Sequence, residues 1–334
     1  MSEEAAAAIR AAIRDHGPIA FSEFMELALY GDGGYYERPP IGAGGDFVTS
    51  PHVHPIFGSL VGQALHSLHA ALGGPAPFRV TEVGAGDGTL ARQVLTELAD
   101  LEIDYVAVDI GPGAREALQT IDGVHVLSEL GGSAHVVLAN ELLDNLPFDR
   151  SRGGVEVRIG IEDDRFVEVG PGPGVEEIEP VGAFAFVDRL SEVLHPGYAL
   201  LIDYGGQGST GGEVHGYRGH RVSADVLADP GSTDITVGVD FARVARHAEE
   251  QGLAVFPTVT QREALTSLGF EAWVRSELER QTEQLDARDG LGAVRTWSGR
   301  SRATLLVDPS ALGRHRWLVL SSPGLPRPEW LSSS

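Results

Sequence analysis

The sequence contains no cysteine, which excludes disulfides, thiolate metal sites and a cysteine nucleophile. It contains no lysine either. All 25 basic residues are arginine, so neither a lysine Schiff base nor a lysine general base is available. The missing lysine reads mainly as coding bias. No apolar run approaches the roughly 20 residues that a membrane-spanning helix needs. Positive charge is scarce, and 48 acidic residues leave a formal net charge of −23. That argues against non-specific nucleic-acid binding and against anionic membranes. It suits an acidic, solubilising surface and is compatible with a basic protein partner. The N-terminus lacks the apolar core of a signal peptide and carries Glu3 and Glu4, acids that a transit peptide avoids. A cytoplasmic protein is the default expectation. What is present is 334 residues with 42% hydrophobic content, enough for one large domain with insertions or two modest ones, and 43 glycines that imply many loops.

The most informative stretch is residues 79–90, where a short apolar-alternating run meets glycines at 84, 86 and 88 and a helical pattern follows at Leu90, Val94, Leu95 and Leu98. This reads as strand, tight turn and helix, the first unit of a parallel α/β sheet. A dinucleotide site wants G-x-G-x-x-G, with a pyrophosphate at the helix N-terminus. Here the pattern is G-x-G-x-G, and Thr89 stands where the third dinucleotide glycine would be. Glu82 and Asp87 bring negative charge to the turn, which disfavours a diphosphate and suits a cation. S-adenosylmethionine carries a sulfonium and an ammonium and no phosphate, so these residues favour a methyltransferase over a dehydrogenase. The next strand pattern, 103–109, ends in Asp109, 25 positions past Gly84. That is near the spacing of about 20 at which an acid meets a ribose hydroxyl pair.

Further strands are expected at 124–127, 134–139 and 198–205, an antiparallel hairpin at 155–161 and 165–169, a strand at 253–258, and closing strands at 303–307 and 316–320 paired with each other. Helices are expected at 5–14, from 21 with Ser22 as N-cap, at 56–72, at 183–194, after the cap Asp240, at 262–268 and at 271–289. The strand at 134–139 is wholly apolar, as a strand buried on both faces should be. It ends at Asn140, Glu141 and Asp144, which are either helix-capping or site residues, because ligands of open α/β sheets bind at the carboxyl ends of strands. The Gly-rich loop at 205–216 reads as a lid or binding segment. The tail, 323–334, is expected to be partly disordered. The Tyr35-Tyr36 pair reads as packing before ligand stacking. His52 and His54, two apart, would point to opposite sides of an extended segment, so no metal site is expected.

The chain resembles the MidA-like methyltransferases, whose mitochondrial member is an assembly factor for respiratory complex I that methylates a protein arginine. The matching segments are Tyr35-Tyr36, 45–51 (GDFVTSP), Phe57-Gly58, 82–90 (EVGAGDGTL), 140–147 (NELLDNLP), 202–205 (IDYG), 217–220 (YRGH), 229–231 (DPG), 234–236 (DIT) and 239–241 (VDF). They keep the family's order over roughly residues 20 to 320. The resemblance implies an α/β fold: a doubly wound, Rossmann-like methyltransferase sheet with an N-terminal helical cap and an inserted β-hairpin. The corresponding division is a cap over 1–75, a core over 76–322 with insertions at about 151–178, 205–235 and 260–300, and a tail over 323–334. It also implies that the loop 45–51 folds over the cofactor. The chain departs from the family at His52, where Glu usually follows Thr-Ser-Pro, and at Phe148, where a smaller aliphatic residue is usual. Residues 273–300 have no confident match.

On this resemblance S-adenosyl-L-methionine is held by Thr49, Ser50, Pro51, Glu82, Gly84, Ala85, Gly86, Asp109 and Asn140, with Glu82 near the positive end of the methionine part. The acceptor is a protein arginine, with a respiratory-complex subunit as one candidate target, and a homodimer stays open. A guanidinium is charged and hard to deprotonate, so acids must hold it and orient its lone pair. The candidates are Glu141 as the orienting residue, Asn140 in support, Asp144, and Asp46 from the cap loop. Two other classes compete. One is an assembly protein that keeps the cofactor fold as a scaffold with little transfer. The other is a nicotinamide oxidoreductase, disfavoured by Thr89. Thermal shift with S-adenosylmethionine, its demethylated product and NAD separates them.

Overall fold

The computed structural model describes residues 3–37, 49–206, 208, 213–218, 221–223 and 225–331. The alternation of strand and helix patterns from residue 78 onward builds one central sheet. Its strands are β1 (Phe78–Val83), β2 (Ile103–Val108), β3 (Val124–Leu127), β4 (Val136–Asn140), β5 (Tyr198–Asp203), β6 (Ala254–Val255), β7 (Val259–Thr260) and β8 (Arg316–Ser321). β3, β2, β1, β4 and β5 lie side by side in that order, all parallel. β8 closes the sheet antiparallel to β5, with Tyr198 opposite Ser321, and β6 and β7 pair along its outer side.

Side chains alternate across the pleat, so one strand feeds two cores. Leu200 and Ile202 pack with Val80, Tyr105, Leu138 and Trp317 on one face. Ala199 and Leu201 pack with Val137, Ala139 and Leu320 on the other. The helices Ile56–Ala71 and Thr89–Glu97 cover the first face, and Val181–Val193 and Phe241–Glu250 cover the second. The connections therefore change sides between β1 and β4, which opens a crevice at the carboxyl ends of those two strands. Asp240 caps its helix as the sequence suggests, accepting from the backbone N–H groups of Ala242 and Arg243.

The N-terminal helices, Glu3–His16 and Phe21–Met25, pack against inserted strands instead of the central sheet. Ile19–Ala20 pairs with Arg158–Glu162, which forms the expected hairpin with Arg165–Val169. Asp163 and Asp164 at its tip have φ of 46° and 64°, the left-handed pair a two-residue hairpin turn requires. Asp164 also pairs with Arg10. Phe21, Phe24, Phe148 and Ile159 form a third core here. Phe148, a departure from the family pattern, packs its ring 5.3 Å from that of Phe21.

Three local expectations are corrected. Residues 303–307 do not form a strand. The helix Gly290–Ala303 runs into a 3-10 turn, Thr304–Leu306, and the buried pair Ala303 and Leu306 has helical spacing. Ser22 is not an N-cap: it lies within its helix, and its own N–H donates to Asp149 Oδ1 at 3.2 Å. The tail is packed as far as residue 331, because Trp330 is buried with its ring 5.7 Å from that of Trp317. Residues 207 and 209–212 of the 205–216 loop and all of 45–48 lie outside the described residues. Among the described residues, no helix is long and apolar enough to cross a membrane.

Candidate active site

β1 ends where the chain must turn sharply under β2. Gly84 and Ala85 both donate to the Val108 carbonyl, at 2.9 and 3.2 Å. Gly84 holds φ at 72°, and a Cβ there would stand 3.0 Å from Leu142 Cδ1, so both conformation and space select glycine. Gly86 N–H donates to Asp109 Oδ2 at 2.9 Å, and Gly111 N–H donates to Asp109 Oδ1 at 2.8 Å. These bonds fix the Asp109 carboxylate at the end of β2 and leave each oxygen lone-pair capacity. Burial raises its carboxyl above the ordinary aspartate value against the pull of those two N–H groups.

Three cavities meet around this turn. One of about 330 Å³ is lined by Gly84, Asp109, Ile110, Ser128, Glu129, Leu142 and Tyr36 among others, a volume in the range of small-molecule sites. A small one of about 50 Å³ lies between the glycine turn and Thr49, Pro51 and His52, with Glu82, Ala85, Asn140 and Glu141 in its wall. A third, of about 250 Å³, is lined by Glu141, Asp144, Asp234 and the tyrosines 35, 36, 204 and 217. Glu141 reaches all three. Its φ is 53°, a strained backbone for a residue with a Cβ. Glu141 Oε1 accepts from the Ser50 N–H at 2.8 Å and from Asn140 Nδ2 at 3.2 Å.

The first two cavities have no lining arginine among the described residues, and both hold several carboxylates. A pyrophosphate would meet repulsion there, whereas a sulfonium and an ammonium find acceptors. Asn140 Oδ1 is buried without a hydrogen-bond partner among the described residues, an acceptor free for a ligand. Glu82 is buried and accepts from the Tyr105 hydroxyl at 2.7 Å. Burial pushes its carboxyl up to about 8 despite that bond. The residues thus fit the donor-rich, cationic, phosphate-free cofactor that the turn suggests.

The third cavity is largely acidic and aromatic, with Arg314 and His315 also in its wall. Asp144 is 7% exposed, and its Oδ1 has no hydrogen-bond partner among the described residues. Burial, then the neighbouring charges of Asp203, Asp234 and Glu141, hold its carboxyl well above the usual aspartate range. Asp203, wholly buried at the end of β5, is raised by burial and then by the charge of Glu141, and accepts from the Leu143 N–H at 2.7 Å. Asp234 accepts from the Tyr36 hydroxyl at 3.2 Å and from Asn145 Nδ2 at 2.9 Å.

Comparison with known proteins fixes the family. Residues 60–171 and 173–259 match the model of a family described as "Putative S-adenosyl-L-methionine-dependent methyltransferase". The chain belongs to this family. It is an S-adenosyl-L-methionine-dependent methyltransferase, with that compound as cofactor. It is similar to the mitochondrial protein arginine methyltransferase NDUFAF7 of Danio rerio, 29% identical over 77% of this chain and 74% of that one. The Homo sapiens protein of the same name is 27% identical over 81% of this chain and 74% of its own length. A crystal structure from Burkholderia thailandensis bound to S-adenosyl-homocysteine superposes with a TM-score of 0.83 at 26% identity, covering 99% of this methyltransferase and 95% of that chain. A native crystal structure from the same organism gives 0.80 at 26% identity. The expectation of a cytoplasmic protein is overturned by the relatives, which are named as mitochondrial. It rested on the composition of the first residues, and residues 3–16 are a packed helix of the fold with Ala5 and Ile9 buried.

The structure gathers Thr49, Pro51, Glu82, Gly84, Ala85, Gly86, Asn140 and Glu141 around the 50 Å³ cavity and brings Asp109 to the 330 Å³ one. Ser50 faces Glu141 through its backbone alone, since its side chain is buried against Gln261. Asp46 and His220 lie outside the described residues. His52 turns toward Asp87, whereas the His54 ring lies 5.0 Å from that of Trp273. Both tyrosines of the Tyr35-Tyr36 pair line the third cavity; Tyr35 is buried in the N-terminal core, and Tyr36 also lines the first cavity and stacks on Tyr30 at 5.5 Å. Sequence reading missed Tyr204, Asp203 and Asp234 as site residues. Asp203 sits at the carboxyl end of a strand, the signal that selected Asp109. Asp234 follows no such rule.

Proposed function

We propose that this methyltransferase alkylates a guanidinium nitrogen of an arginine in a protein substrate. The observation that carries the proposal is Asp144 Oδ1, a buried acceptor with no partner among the described residues. It faces a cavity that Glu141 and Asp234 also line and that shares Tyr36, Glu141 and Asn145 with the 330 Å³ cavity. A guanidinium is planar, cationic and rich in N–H donors, so it complements acceptors arranged around an aromatic slot. The naming of the relatives as protein arginine methyltransferases supports the same acceptor.

Gly84, Ala85 and Gly86, Asp109, Asn140, Glu82 and the segment 49–51 would hold the cofactor, which supplies an electrophilic methyl group on a sulfonium sulfur. The chain's own residues align and screen the reactants, and such positioning is worth up to roughly 7–11 kcal/mol. Glu141, held by Ser50 and Asn140, orients the acceptor nitrogen. Burial, then the charges of Asp203, Asp234 and Glu141, favour the protonated form of Asp144 in the empty pocket. An entering guanidinium reverses that penalty, so binding expels a proton and leaves a carboxylate. This carboxylate can take the N–H proton that the nitrogen must lose once the new N–C bond forms.

The test is label transfer from methyl-labelled cofactor into a proteome from cells lacking this protein, followed by hydrolysis of the labelled band. Methylarginine is expected, and subunits of the respiratory complex are the first bands to identify. Label confined to another amino acid or to a small molecule refutes the proposal.

A further inference from the structure

The segment that roofs the small cavity is fastened at several points. The Ser50 N–H is held by Glu141, and Thr49 Oγ1 lies 2.8 Å from His52 Nδ1. His52 Nε2 reaches down to the glycine turn, 3.0 Å from Asp87 Oδ2 and 3.2 Å from Thr89 Oγ1. Asp87 Oδ1 in turn accepts from the Thr89 N–H at 3.0 Å, so the carboxylate cannot swing away without also losing its bond to the first residue of the following helix. We propose that His52 and Asp87 form an ionic clasp that pins residues 49–53 over the glycine turn and shapes the cofactor site at its non-adenosine end. The inference rests on the assignment of these cavities to the cofactor.

Each partner supports the charged form of the other. The hydrogen bond to Asp87 raises the imidazole above its ordinary value, helped by the charges of Asp87 and Glu141 and opposed by burial. Burial pulls Asp87 upward, but the bonds from His52 and Thr89 outweigh it and hold the carboxyl at about 2. The other titratable group facing the cavity is Glu82, beneath the turn. With the imidazolium present, the clasp adds no net charge beside a zwitterionic amino-acid end. Once His52 loses its proton, Asp87 and Glu141 are left uncompensated and the roof is held more weakly. His52 is therefore a positioning residue, and the usual family glutamate at this position could not pair with Asp87.

The test measures S-adenosyl-homocysteine binding by calorimetry for the full chain, His52→Gln, Asp87→Asn and the charge-swapped double variant His52→Glu with Asp87→Arg. At pH 6.5 each single variant is expected to bind about tenfold more weakly, the loss of one charge-assisted hydrogen bond. The swapped pair is expected to recover most of that loss. The ratio of wild-type to His52→Gln affinity should shrink as pH rises from 6.5 to 8.5, because less of the imidazole is then charged; taking the ratio cancels the titration of Glu82. Hydrogen exchange of the ligand-free proteins keeps the test decisive if a variant melts early. Losing the clasp should speed exchange at residues 49–53 and leave β1 unchanged, and uniform acceleration would overturn the clasp. Single variants that bind as the wild type does, or a swapped pair no better than either single, also overturn it. A wild-type chain that fails to bind S-adenosyl-homocysteine refutes the cofactor assignment itself, and the clasp with it.

Discussion

Replacing Asp144 with Asn removes a charge and keeps the shape, and the structure predicts opposite effects on stability and on catalysis. Below the ordinary aspartate value of 3.8, Asp144 is protonated in folded and unfolded chains alike. Above it the unfolded chain ionises while the folded chain keeps its proton. Stability from this site therefore falls as pH rises toward the raised folded value. Asn has no such dependence, so Asp144→Asn should melt above the wild type at pH 8, with the gap closing toward pH 4. Catalysis should move the other way. Removing one side of a buried carboxylate–guanidinium pair costs about 3–5 kcal/mol. Ionising Asp144 on substrate entry subtracts from that sum, so the lower end applies and kcat/KM for an arginine peptide should fall about 100-fold. S-adenosyl-homocysteine affinity should stay unchanged, because Asp144 lines only the acceptor cavity among those described. Thermal melts at the two pH values, calorimetry and label transfer read the three quantities. A variant that melts lower at every pH and still transfers methyl groups would show Asp144 to be a structural residue and refute the reasoning.

Three further substitutions probe the other walls. Asp109→Asn exchanges one acceptor oxygen for a donor facing the Gly86 or Gly111 N–H, and should weaken S-adenosyl-homocysteine binding about 10- to 100-fold; wild-type affinity by calorimetry would exclude Asp109 from the cofactor site. Glu141→Gln keeps an oxygen for the Ser50 N–H, so cofactor affinity should hold while turnover drops about 100-fold; parallel loss of both would instead make Glu141 a roof anchor. Gly84→Ala forces a Cβ into a backbone at φ 72° and against Leu142, and should cost about 1–3 kcal/mol of stability, seen as a lower denaturant midpoint. An unchanged midpoint would mean that the turn relaxes freely.

Local chemistry made part of this molecule readable in advance. The hairpin at 158–169 follows from period-two alternation about a polar tip, and the cap at Asp240 from a side chain that satisfies its own helix. Local chemistry also misled. Residues 303–307 look like a strand because short apolar runs fit either period, and burial against the sheet chose the helix. Ser22 is a good cap by type, but a carboxylate from residue 149, remote in sequence, took its N–H. The buried Trp330 shows that a polar, proline-rich tail can still be held by one large ring at the right place.

Sequence alone determined the parallel α/β sheet, the glycine turn and the acid at the end of the second strand, since each follows from neighbours a few residues apart. It could not determine which acids share a cavity. Asn145 and Asp234 meet across 89 residues, His52 and Asp87 across 35, and Leu143 and Asp203 across 60. Those meetings depend on the order of strands in the sheet and the side each crossover takes. The same folding buries Asp144 and leaves its Oδ1 without a partner among the described residues, because desolvation is a property of the assembled walls and no single segment carries it.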